Sequence, residues 1–154
     1  MKKIILILFL VFGTLNTQAQ ELTWHTDMNK ASEIAIKTKK PILLFFTGSD
    51  WCGWCIRLQK EVFTLPEFAK WAKDNVVLVE LDFPRRKQLA PELAQQNNEL
   101  QQMFGVRGYP TVWFVNPTKV DKKVNLDRLG STGYVAGGPE AWLTGANQIL
   151  ATKK

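Results

Sequence analysis

Apolar positions along the chain follow two rhythms, one helical and one of short unbroken runs. Met28, Ala31, Ile34 and Ala35 recur at helical spacing, and Asp27 stands where a helix amino terminus is capped. This predicts a first helix over 27–38, ended before Pro41. Ile42-Leu43-Leu44-Phe45-Phe46 follows as a continuous apolar run bounded by Pro41 and by Thr47-Gly48-Ser49-Asp50. Such a run suits a central strand covered on both faces. Helical spacing returns over 52–63 and 66–73, with Pro66 placed for a first helical turn. Val76 to Leu81 repeats the buried-strand pattern. Residues 90–104, opened by Pro91 and closed by Gly105, predict a helix carrying Leu93, Leu100, Met103 and Phe104, although polar Gln95 to Asn98 break its apolar face. Thr111 to Val115 predicts a third strand stopped by Asn116-Pro117, Leu126 to Leu129 a weaker one, and Pro139 to Leu150 a last helix. Strands alternating with helices define an α/β layer fold built on a central sheet.

The amino-terminal segment obeys a different logic. Lys2 and Lys3 precede nine uncharged apolar residues, Ile4 to Phe12, followed by Gly13 and the small-residue stretch Thr17-Gln18-Ala19. This is the layout of a secretory signal cleaved after Ala19, and the apolar run is short of the roughly 20 residues a membrane span requires. The expected organisation is a signal peptide over 1–19 and one domain over 20–154, periplasmic or secreted, monomeric, with no stable membrane insertion after cleavage. Export also corrects the charge. The whole chain carries +6; without the two lysines of the leader, 18 basic residues face 14 acidic ones, a charge of +4. So small an excess argues against a nucleic-acid partner.

Of 154 residues only two are cysteines, Cys52 and Cys55, too close together to staple a fold and more suited to chemistry. Trp51-Cys52-Gly53-Trp54-Cys55 lies where the first buried strand gives way to a helix, so Cys52 falls at or beside a helix amino terminus. Unpaired N–H groups and the helix dipole stabilise a thiolate there. Two intervening residues on a helical turn bring the second sulfur alongside the first, so that Cys55 can resolve a mixed disulfide made by Cys52. The same C-x-x-C spacing also occurs in zinc sites. Zinc wants four ligands, however, and this chain has one histidine, His25, and no second cysteine pair.

A second element, Gly105-Val106-Arg107-Gly108-Tyr109-Pro110-Thr111, leads into the third strand. With both motifs in this order, the chain resembles the thioredoxin family over roughly 22–151. The resemblance implies a thioredoxin-like fold, a central mixed sheet flanked by helices, and a cis bond before Pro110 lying against the cysteine pair. It implies catalytic roles for Cys52 and Cys55 and a substrate groove formed by Trp51, Gly53, Trp54, Tyr109 and Pro110, the backbone of Tyr109 pairing with the substrate chain. The implied activity is thiol–disulfide exchange with protein thiols and disulfides, as a simple reductase first and a general exchange protein second, rather than a dedicated isomerase. It needs a redox partner of unidentified nature and no organic cofactor or metal beyond the Cys52–Cys55 disulfide itself. Two other readings of the same residues are a chaperone-like module that binds unfolded chains through exposed tryptophans, and a Cu(I) carrier using both thiolates.

The chain also departs from the family. Thioredoxin carries a buried acid six residues before its first active-site cysteine, a position that falls on Phe46 here, and a neighbouring lysine that falls near Leu78. Asp50, Glu80 or water remain as proton relays for Cys55. Between Asp82 and Pro110 the chain is longer than thioredoxin, with a helical insertion over about 84–104 that holds Arg85-Arg86-Lys87. That basic trio reads as a solvated loop, or as a steering patch for acidic partners. Gly137-Gly138 reads as a loop-to-helix junction or a turn beside the active site. Trp24, Trp71, Trp113 and Trp142 are expected in the core or in helix packing, Trp54 exposed, Trp51 exposed or packed under the loop, and His25 at the surface or a strand edge.

Overall fold

The computed structural model describes residues 22–121 and 123–153; the leader expected over 1–19 lies outside them. Five strands form one mixed sheet in the order β1-β3-β2-β4-β5. They are β1 (Trp24–His25), β2 (Ile42–Thr47), β3 (Val77–Asp82), β4 (Thr111–Val120) and β5 (Lys123–Thr132). The first three run parallel, while β4 is antiparallel to both β2 and β5. Five α-helices flank the sheet: α1 (Met28–Thr38), α2 (Gly53–Leu58), α3 (Pro66–Asn75), α4 (Pro91–Met103) and α5 (Gly138–Leu150).

The two faces of the sheet hold separate cores, because successive strand residues point to opposite sides. On one face Leu43, Phe45, Leu78, Val112 and Phe114 pack with Cys52, Cys55, Leu58, Phe63, Phe68 and Trp142, contributed by the α2 region, α3 and α5. On the other, Ile42, Leu44, Phe46, Val77, Val79 and Leu81 pack with Met28, Ala31 and Ala35 of α1 and with Leu100 and Phe104. Both β2 and β3 are covered twice, which is why their sequences carry no polar alternation.

Local signals account for the element starts. The Asp27 carboxylate accepts from the backbone N–H of Asn29 and Lys30 at 2.8 and 3.2 Å, capping α1. Gly137 and Gly138, with φ of 109° and 73°, form the turn into α5, and a Cβ on Gly137 would stand 3.0 Å from the Ala141 methyl. The glycine pair is therefore the loop-to-helix junction.

Two elements differ from expectation. Strand β4 does not stop at Asn116-Pro117 but runs on to Val120. Beyond Val115 it has left β2 and pairs with β5 alone, so Pro117 sits in a two-stranded ribbon where a lost donor is tolerated. Strand β5 is correspondingly longer than Leu126 to Leu129. The polar middle of α4 is helical because its amides have distant partners. Gln96 donates to the Thr26 carbonyl at 2.8 Å and accepts from the Met28 N–H at 2.9 Å, and buried Asn97 donates to the Asp82 carbonyl at 3.0 Å.

Candidate active site

Cys52 is the amino-terminal cap of α2, with its sulfur accepting from the Cys55 N–H at 3.2 Å. The two cysteines are joined as a disulfide. Both cysteines are buried, Cys52 less completely at 6% than Cys55 at 1%. After Leu58 the helix widens into a π turn over Gln59–Phe63, closed by the Thr64 N–H on the Gln59 carbonyl at 2.9 Å. That extra residue lets Leu58, Val62 and Phe63 all reach the core beneath the cysteines.

The turn into Cys52 is built by residues that the motif itself does not contain. Cys52 donates its N–H to the Gly48 carbonyl at 2.8 Å, and a Cβ on Gly48 would lie 2.4 Å from the Trp51 ring. Gly48 is thus the residue that lets Trp51 fold inward. Trp51 donates from Nε1 to the Phe83 carbonyl at 2.8 Å and meets Tyr109 edge-on at 5.7 Å, with the Arg85 guanidinium 3.8 Å from its ring centroid. It is packed under the loop that follows β3, rather than free at the surface. The Asp50 carboxylate fixes that loop, accepting from the N–H of Arg85 and of Arg86 at 3.0 and 2.7 Å. Of the basic trio, Arg85 stacks on Trp51, and Lys87 pairs with Asp82 at 3.0 Å. The trio is consequently a strap over the active-site loop as much as a solvated run.

The peptide bond between Tyr109 and Pro110 is cis. Tyr109 lies between the motif and the segment after β3, touching Phe83 at 5.3 Å as well as Trp51, and its hydroxyl meets the Gln101 amide at 2.5 Å. Gly133, after β5, borders Pro110, since a Cβ there would come within 3.2 Å of the Pro110 carbonyl oxygen. Gly53 and Trp54 are exposed, and Trp54 rests at 5.1 Å on Tyr134 of the same β5–α5 loop. His25 is half-buried on the edge strand β1, apart from these residues.

The placement of the missing acid needs correction. Phe46 points to the face opposite the cysteines, where it meets Phe104 at 6.2 Å. The β2 residue that faces the disulfide is Phe45, and its partner across β3 is Glu80, not Leu78. Successive strand residues point to opposite sides of the sheet, so a count that is off by one residue lands on the wrong face. Burial raises the Glu80 carboxyl above the ordinary carboxylate range, the neighbouring Asp82 raises it further, and Lys87 opposes both. Asp50 moves the other way, lowered mainly by the N–H of Arg85. An acid held ionised by backbone donors is a poor proton carrier, so Asp50 drops out as a relay. Thr47, on the cysteine face opposite Asp82, is fully buried with a hydroxyl that lacks a partner among the described residues.

A buried strand feeding a helix whose cap is one half of a disulfide is the geometry of dithiol exchange, and comparison with known proteins gives the same class. A family model for the thioredoxin-like domain matches residues 28–122, and the chain belongs to that family as a thiol–disulfide oxidoreductase. Among individual proteins, it is 33% identical over 132 residues to the disulfide bond reductase DsbH of Chlamydia pneumoniae, covering 86% of this chain and 75% of that one. A solved structure of a DsbH oxidoreductase superposes with a TM-score of 0.75 at 33% identity, covering 85% of each chain. The thioredoxin-related protein DsbJ of the same organism is 29% identical over 122 residues, 79% of this chain but 34% of DsbJ.

Proposed function

We propose that this chain is an exported reductase of protein disulfides. Cys52 attacks, Cys55 resolves, and Trp51, Gly53, Trp54, Tyr109 and Pro110 shape the groove for the substrate strand. The observation that supports the assignment of roles is that Cys52 caps the start of α2 and is less completely buried than Cys55. The Cys52 thiolate attacks one sulfur of a substrate disulfide, whose S–S bond breaks and whose other sulfur leaves as a thiolate. Cys55 then gives up its proton and attacks the Cys52 sulfur, releasing the second substrate thiol and closing the Cys52–Cys55 disulfide. The substrate gains two electrons and two protons, which a partner thiol protein must restore. The dithiol is the whole catalyst, so no cofactor or metal is required. Residues 1–19 serve as the leader that delivers the domain to the periplasm or exterior, and among the described residues no helix is long and apolar enough to cross a membrane.

The direction of electron flow is read from the potential of the pair. Equilibration with glutathione buffers should give a value near that of thioredoxin, about −270 mV, whereas a value near about −120 mV would make the protein an oxidant and overturn the reductase reading.

Glu80 takes the proton from Cys55 in this reading, because it is the acid beside Phe45 on the cysteine face and its carboxyl is raised towards the range in which protons exchange. The sign for stability is opposite to that for activity. A carboxyl raised in the folded state favours folding when protonated, and that contribution is lost as pH rises through the folded value. Glu80→Gln should therefore unfold at a higher temperature than the wild type at pH 8, yet resolve mixed disulfides more slowly there. At pH 5 the two melting temperatures should converge. A variant that is both more stable and equally fast would remove Glu80 from the mechanism.

A further inference from the structure

Trp54 is 55% exposed, an unusual state for so large a ring, and it is nonetheless held. One side rests on Tyr134 at 5.1 Å, and the Arg57 guanidinium lies 5.4 Å from the Trp54 centroid and 5.1 Å from that of Tyr134. Both supports are gripped by one carboxylate. Glu61 Oε1 accepts from Arg57 Nε at 2.7 Å, and Oε2 accepts from the Tyr134 hydroxyl at 2.5 Å across 73 positions of sequence. Those two bonds also hold the Glu61 carboxyl below its usual range, Tyr134 first and Arg57 second. Through this network the helix bearing the cysteines is tied to the loop whose Gly133 borders Pro110.

Resting on the oxidoreductase reading above, we propose that Glu61 is a positioning residue for substrate choice. It pre-sets Trp54, through Arg57 and Tyr134, as a rigid aromatic wall continuous with the disulfide. The occupant is an extended polypeptide with a large apolar or aromatic residue beside its disulfide cysteine. An unsupported tryptophan would have to be immobilised when substrate binds, and fixing one side chain in advance is worth about three- to tenfold in affinity. Tryptophan also supplies a large contact area with few rotatable bonds. The Arg57–Glu61 pair is surface-exposed and contributes little to folding, so the network has more to do with orientation than with stability.

The test uses the full domain and two synthetic peptide disulfides that differ only in tryptophan or serine next to the cysteine. Wild type should prefer the tryptophan peptide in kcat/KM. In Glu61→Ala that preference should fall about three- to tenfold, the loss appearing in KM. Tyr134→Phe, which removes one hydroxyl and keeps the ring, should lose part of it. In a Trp54→Ala background, Glu61→Ala should have no further effect on the preference. A preference unchanged in Glu61→Ala, or additive losses in the double variant, would overturn the proposal. Equal rates on both peptides in wild type would overturn it while leaving the oxidoreductase reading intact, and no reduction of either peptide would overturn both.

Discussion

Replacing Cys52 by serine should bring the reduction of a protein disulfide such as insulin to the rate of the uncatalysed buffer, a loss of at least about a thousandfold. The reasoning starts from exposure. Cys55 is 1% exposed within the first turn of α2, so it is not expected to take over as the attacking sulfur. A serine hydroxyl in the cap position can still accept the Cys55 N–H that the sulfur accepts now. The fold should persist while turnover disappears, a combination read from circular dichroism beside the turbidity assay. The same variant separates the other readings. Suppression of aggregation by the Cys52→Ser protein would favour a chaperone-like module working through Trp54, and a one-to-one copper titration that blocks both thiols in the wild type would favour metal carriage.

Trp142→Ala should cause the largest loss of stability among single substitutions, about 3–5 kcal/mol by comparison with other buried aromatic truncations. Trp142 is 1% exposed and meets Phe63, Phe68 and Trp71 edge-on at 5.2, 5.8 and 6.3 Å. It joins α5 to the helices behind the cysteines. Its Nε1 also donates to the Gly133 carbonyl at 3.0 Å, next to Pro110, so the residue braces the active-site wall from within. Trp142→Phe would keep most of the buried area and leave that carbonyl unpaired, at a cost of about 1–3 kcal/mol. Urea unfolding of both variants checks the order. A loss under 1 kcal/mol in Trp142→Ala would show that this aromatic cluster is not the core of the cysteine face.

What could be read in the sequence was local. Asp27 as a cap, the unbroken apolar runs of β2 and β3, and Cys52 at the strand-to-helix junction each depend on neighbours a few residues away, and each stands as expected. What could not be read depends on distant partners or on a parity that one residue reverses. Phe46 and Phe45 are equally apolar, and only the register with β3 shows that Phe45 looks towards the cysteines and that Glu80 stands beside it. The interrupted apolar face of α4 made sense only once Gln96 had met Thr26 and Met28, some 70 positions earlier. Trp51 left two options open that Phe83 and Arg85 closed. The Glu61–Tyr134 bond joins segments with no motif in common, and a glutamate four residues after an arginine otherwise reads as an ordinary helical pair.

The assignment of attack to Cys52 and resolution to Cys55 meets its most direct test in trapping. Reduced Cys55→Ser protein, mixed with an oxidised protein substrate, should accumulate a one-to-one covalent complex that dithiothreitol dissolves and whose only intermolecular disulfide maps to Cys52. A complex of comparable yield formed through Cys55 in the Cys52→Ser protein would contradict it.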